Sequence, residues 1–139
     1  MNVVDASVAV RWYAEDSWTE SANALAEHAP LSAPDLIVCE LSNALWKIAR
    51  VDGVSDALVG DALKRLPGII DLVSVTQLAP RAFAIARALN HPTYDCFYLA
   101  LSETLRAPLV TLDRKLFNRT RATPWADLTS LLGSDPALT

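Results

Sequence analysis

Long apolar runs are missing from this chain: no stretch approaches the roughly 18 apolar residues that a membrane-spanning helix needs. The start, Met1-Asn2-Val3-Val4-Asp5, has no basic segment ahead of an apolar one, so no export leader is read there and a cytoplasmic location is expected. Glycine (4) and proline (8) are too few for a linker-rich or low-complexity protein. Cysteine is limited to Cys39 and Cys96, in no CxxC pair, which excludes a disulfide framework and leaves two reduced, partly buried thiols as the expectation. Histidine is equally scarce. His28 and His91 each sit near a helix end with a proline close by, and a surface or capping role is expected of both rather than catalysis.

Positive charge is also short, with 12 basic against 16 acidic residues and a net charge of −4. Tight nucleic-acid binding rests mainly on Lys and Arg neutralising phosphates, so this balance speaks against a simple high-affinity binder. It speaks less against a chain that gathers four acids into one pocket: the remainder is then 12 against 12, and divalent cations would reverse the pocket's sign. What the chain does have is apolar residues, 52% of 139, enough for one core and one domain spanning 1–139.

Hydrophobic spacing alternates between strand and helix. Asn2 to Val4 reads as a strand stopping at Asp5, with Ser7 as N-cap of a short helix; Thr19 to His28 reads as a second helix. Pro34 suits the first turn of a longer helix reaching about Arg50 before Asp52-Gly53, and Ser55 caps another that ends near Pro67-Gly68. Ile69 to Val75 suggests a buried strand, Leu78 to Leu89 a helix broken by Asn90-His91-Pro92, and Thr93 the cap of a helix through about Leu105. Leu109 to Leu112 is a short apolar strand ending at Asp113, and Ala126 to Leu132 is ambiguous. Such alternation implies an α/β fold, three layers with a mostly parallel sheet of four or five strands, whose sites form beyond the carboxyl ends of the strands. Asp5 and Asp113 both stand there.

Two further acids are placed conspicuously. Glu40 interrupts Leu36, Ile37, Val38, Leu41 and Leu45 in mid-helix and shares its face with Asn43, Ala44 and Lys47. Asp95 falls in the first turn of its helix, near Tyr98, Leu99 and Ser102. Taken singly, each acid reads as a helix-end charge or a solvated face. Held together, four carboxylates repel one another unless a cation intervenes, and oxygen-only ligands select Mg²⁺ or Mn²⁺ over Zn²⁺. Spacing alone does not establish that they meet.

Four segments carry a resemblance: VVDASV from Val3, ELSNALWK from Glu40, YDCFYLALSE from Tyr94 and LVTLDRKL from Leu109. In this order and spacing the chain, from Asn2 to about Leu132, resembles PIN-domain proteins of the VapC toxin type, the ribonuclease half of bacterial toxin–antitoxin pairs. The resemblance implies a metal site formed by Asp5, Glu40, Asp95 and Asp113, assisted by the hydroxyls of Ser7 and Thr111. It implies Mg²⁺- or Mn²⁺-dependent hydrolysis of RNA, a cognate antitoxin partner and a homodimer. Many similar proteins carry another acid shortly after the position of Asp113; here Asn118 and Arg119 stand in that neighbourhood, which bears on a second metal position.

Trp46 and Cys39 share a side of their helix away from Glu40, a second apolar patch suited to a homodimer or antitoxin contact. Arg11, Lys47, Arg114 and Lys115 lie near the acids in sequence and are candidates for RNA phosphates. The alternative from a different class is a PIN-like scaffold that binds a partner without catalysis. A phosphotransferase of the haloacid-dehalogenase type needs a second Asp where Ser7 stands, and a receiver domain needs a clustered acidic pair that Asp5 alone does not supply.

Overall fold

A computed structural model describes residues 1–134; the last five positions of the unit expected over 1–139 lie outside the described residues. Among the described residues, five strands form one all-parallel sheet in the order β3-β2-β1-β4-β5. These are β1 (Asn2–Val4), β2 (Leu31–Pro34), β3 (Ile70–Val73), β4 (Leu109–Thr111) and β5 (Thr129–Leu131). The helices are α1 (Ala6–Ala9), α2 (Thr19–His28), α3 (Leu36–Asp52), α4 (Asp56–Ile69), α5 (Val75–Leu89), α6 (Thr93–Leu105) and α7 (Arg114–Thr120). β1 is central: Val3 pairs with Ser32 on one side and Leu109 on the other. Neighbouring residues on a strand face opposite ways, and Val3 and Val4 are both fully buried, so both faces of the sheet are covered.

The two helices that matter to the site are built differently. α3 buries one stripe, Ile37, Leu41 and Leu45, at four-residue spacing, and ends where Gly53 takes the left-handed conformation (φ 70°) and donates its N–H to the Ala49 carbonyl. α6 is buried on nearly all sides, with Cys96, Tyr98, Leu99, Ala100, Leu101 and Ser102 inside. It packs against α5, whose Leu78, Ala82, Ile85 and Leu89 are buried. Glu103 ties the pair to the C-terminal region, accepting two hydrogen bonds from Arg81 (2.8 and 2.9 Å) and one from the Trp125 indole (2.6 Å).

Several boundaries differ from the sequence expectation. Pro34 ends strand β2 instead of opening a helix; α3 begins at Leu36. Asp5, not Ser7, caps α1, and Pro92, not Thr93, precedes α6 without a side-chain cap bond. α4 continues through Pro67-Gly68 to Ile69, and α5 starts at Val75 because the Ser74 hydroxyl accepts from the Thr76 N–H. The ambiguous Ala126–Leu132 segment is a 3-10 turn (Ala126–Leu128) followed by β5. Cys39 is exposed, contrary to the partly buried thiol expected, while Cys96 is buried. Among the described residues no helix is long and apolar enough to cross a membrane.

Candidate functional site

Asp5 is the first residue past β1 and is almost wholly buried, with 8% of its surface exposed. Its Oδ1 accepts from the Ser7 N–H (3.1 Å) and hydroxyl (2.5 Å), and its Oδ2 accepts from the Thr111 hydroxyl (2.5 Å). The two hydroxyls are themselves fixed by the end of β4, since Ser7 Oγ accepts from the Leu112 N–H (2.9 Å) and Thr111 Oγ1 from the Asp113 N–H (3.0 Å). Parallel strands β1 and β4 are adjacent, so both deliver their terminal residues to one edge. Ser7 and Thr111, which the family resemblance implies as helpers at the site, thus each pass a backbone N–H's polarity to the buried Asp5 carboxylate.

The other acids approach from helices. Glu40, half-buried on α3, accepts a 2.5 Å hydrogen bond from the Tyr98 hydroxyl of α6. Asp95, one turn earlier on α6, has Oδ2 2.6 Å from His91 Nε2. Burial, opposed by the bonds from Ser7 and Thr111 and reinforced by Asp95's charge, pushes the Asp5 carboxyl up to about 6. Burial raises Glu40 as well, with the Tyr98 bond opposing and Asp95's charge adding. Tyr98 is raised by burial and then by the charges of Glu40, Asp5 and Asp95. Asp95 is thus within electrostatic reach of both Asp5 and Glu40, and all three carboxylates lie within reach of Tyr98. Asp113 meets this network through its backbone N–H, which donates to the Thr111 hydroxyl, while its side-chain Oδ1 caps α7 by accepting from the Leu116 N–H (3.1 Å).

Two residues of this arrangement escaped the sequence reading. His91 has only 6% of its side chain exposed and faces Asp95, so the surface or capping role expected of it describes its backbone alone, whose N–H donates to the Ala86 carbonyl. Its position four residues before Asp95 was the available signal. Tyr98 was noticed only as a neighbour of Asp95; a tyrosine buried to 1% exposure requires a partner for its hydroxyl, which the fold supplies in Glu40, 58 positions away. His28 fulfils the bland expectation, being exposed with Nδ1 2.6 Å from the Ala24 carbonyl.

The donor set suits a hard divalent ion in kind: carboxylate and hydroxyl oxygens, with a buried anion whose charge is penalised by desolvation and by a second acid. It also keeps lone pairs available. Among the described residues, Glu40 Oε2, Asp95 Oδ1 and Asp113 Oδ2 accept no hydrogen bond, and Asp5 Oδ2 accepts one. As arranged here, no three His, Cys, Asp or Glu side chains among the described residues are gathered closely enough to share an ion. To share one ion, these side chains would have to rearrange about Asp5.

A parallel sheet flanked by helices, with acids from β1, α3, α6 and the end of β4 at its carboxyl edge, defines an α/β/α domain with an acidic edge site. The PIN domain model matches residues 3–122, and the chain belongs to the PIN-domain family, among its VapC-type proteins. It is 32% identical over 118 residues to ribonuclease VapC3 of Pyrobaculum aerophilum, covering 82% of this chain and 90% of that one. Ribonuclease VapC1 of Mycobacterium tuberculosis is 33% identical over 87 residues, 61% of this chain and 64% of the relative. The fold matches the crystal structure of PAE2754 from Pyrobaculum aerophilum with a TM-score of 0.61 at 25% identity, over 88% of this chain and 81% of the other. It also matches a chain of a toxin–antitoxin complex from Klebsiella pneumoniae with a TM-score of 0.62 at 16% identity, over 89% and 93%; that likeness concerns the fold.

Proposed function

We propose that this protein is an endoribonuclease, the toxin of a toxin–antitoxin pair, which hydrolyses RNA phosphodiester bonds with Mg²⁺ or Mn²⁺ held by Asp5, Glu40, Asp95 and Asp113. The observation that supports the reading is the reach of three carboxylates to one buried tyrosine: Glu40 accepts from the Tyr98 hydroxyl, and the charges of Asp5 and Asp95 act on it as well. Bound there, a divalent ion supplies a water of lowered pKa as nucleophile and neutralises charge on the phosphate. Ser7 and Thr111 hold Asp5 in one orientation, and His91 does the same for Asp95. Glu40, steadied by Tyr98, would hold the ion or orient a water beside it.

The test is to sequence RNA ends formed when purified protein meets total cellular RNA with Mg²⁺, with Mn²⁺ and with EDTA. Defined internal cuts that need the metal are expected; an unchanged RNA profile under all three conditions overturns the reading. A second reading, a non-catalytic scaffold, draws on the spread of the acids, none of which form a ready three-residue ion cluster. It predicts partner binding with no cleavage at any metal concentration.

The proposed partners are a cognate antitoxin and a second copy of the chain. Trp46 (54% exposed), the exposed Cys39 and the neighbouring cleft lined by Ser42, Ala49, Val59 and Leu63 of α3 and α4 supply the apolar patch for one of them.

A further inference from the structure

Two clefts meet at Asn90, His91 and Pro92. The larger, about 810 Å³, adds Lys115, Asn118 and Arg119 from α7 and Arg121 just beyond it. The smaller, about 400 Å³, adds Phe83 and Arg87 from α5 and Thr93 from α6. Among the described residues neither is lined by a carboxylate, whereas the cleft beside Glu40 includes Glu15, Asp16 and Asp52. This matters in a chain of net charge −4: Arg114, Lys115, Arg119 and Arg121 bring four of its 12 basic residues into one short segment that contains no acid.

The cations there are not equivalent. Arg121 belongs to the fold, its guanidinium 3.9 Å over the Phe117 ring and donating to the Ala126 carbonyl (2.7 Å). Lys115 and Arg119 are exposed; among the described residues Lys115 has no hydrogen-bond or ion-pair partner, and Arg119 makes only a 3.4 Å contact to the Asn90 carbonyl. Phe83, in the smaller cleft, is 62% exposed, an aromatic face with no place in the core. Exposed cations in one cleft and a bare aromatic ring in the adjoining one match a single-stranded nucleic acid, whose phosphates are charged and whose bases have free faces to stack. At the junction stands His91, whose ring holds Asp95 of the carboxylate site.

We infer that the joined cleft is the track along which single-stranded RNA reaches the carboxylate site, with Lys115 and Arg119 on its phosphates and Phe83 stacking a base. The inference rests on the ribonuclease reading and adds which side chains hold the substrate and the side from which it enters.

The test is fluorescence anisotropy of a labelled, mixed-sequence single-stranded RNA of about 12 nucleotides with the full chain in EDTA, where binding is read without cleavage. Lys115→Gln/Arg119→Gln is expected to weaken binding about tenfold at low salt and to flatten the salt dependence by about 1.4 log units per decade, the share of two phosphates. Phe83→Ala is expected to weaken it about fivefold or more with the salt slope unchanged. Lys64→Gln/Arg65→Gln on α4 removes the same charge elsewhere and is expected to change affinity less than about twofold. Thermal melts confirm folding of each variant, all of whose altered side chains are exposed. Equal losses from the two charge pairs, or wild-type affinity in Phe83→Ala, overturn the track. So does a duplex of the same sequence that binds as tightly as the single strand. Cleavage with Mn²⁺ on the same preparations separates the two readings: cutting by the wild type together with unaffected binding in the track variants removes the track alone, and track-dependent binding without cutting removes the ribonuclease alone.

Discussion

At the scale of single residues, Asp5 illustrates how a site stores instability. In the unfolded chain its carboxyl titrates near 3.8, and in the fold near 6, because burial penalises the anion. The folded state therefore holds this proton more tightly; the resulting stabilisation is complete below about pH 3.8 and is lost as pH rises through about 6. In metal-free protein Asp5→Asn is expected to raise stability at pH 8 by up to about 3 kcal/mol, with little gain at pH 4, while abolishing RNA cleavage. Melting curves at the two pH values check this, and a lower melting temperature at pH 8 contradicts it. His91 is proposed to act on the site through its bond to Asp95. His91→Ala is expected to weaken Mn²⁺ binding about 10- to 100-fold, measured by electron paramagnetic resonance, with His91→Gln recovering part of the loss through a replacement donor.

At the scale of elements, Asp113 caps α7 and is also proposed for the site, and the two roles separate by substitution. Asn caps a helix about as well as Asp, so Asp113→Asn is expected to keep the melting temperature and lose cleavage; Asp113→Ala is expected to lose about 1 kcal/mol besides. Chemical denaturation of both variants decides, and equal stability of Asn and Ala forms contradicts the cap. Elements with a strong local signal were legible in the sequence: Thr19–His28 matches at both ends, Ser55 caps α4, and Asp95 lies in the first turn of its helix. β2 was not, because Leu31-Ser32-Ala33-Pro34 has little strand character of its own and is fixed by pairing with β1 and β3 on its two sides. The same limit hid half of the site's contacts. Asp5, Glu40, Asp95 and Asp113 were visible as acids out of place, and Ser7 and Thr111 through family resemblance, but Tyr98 meets Glu40 across 58 positions and no local pattern announces that.

For the whole molecule, the arrangement divides labour among surfaces. The carboxyl edge of the sheet carries the acids, the α5–α7 side carries unpaired cations and an exposed aromatic, and the α3–α4 side carries the apolar patch around Trp46. Trp46→Glu places a charge in that patch and is expected to shift the assembly toward monomer, or to abolish antitoxin capture, without loss of fold. Light scattering and co-purification read this out, and an unchanged assembly with both partners contradicts the assignment.

The central claim is that four acids distant in sequence act on one ion. Titrate Mn²⁺ into the wild type and into Asp5→Asn, Glu40→Gln, Asp95→Asn and Asp113→Asn, and follow the free ion by electron paramagnetic resonance. Each substitution is predicted to weaken the wild-type affinity by about tenfold or more, and wild-type affinity retained in Glu40→Gln and Asp95→Asn would contradict the account.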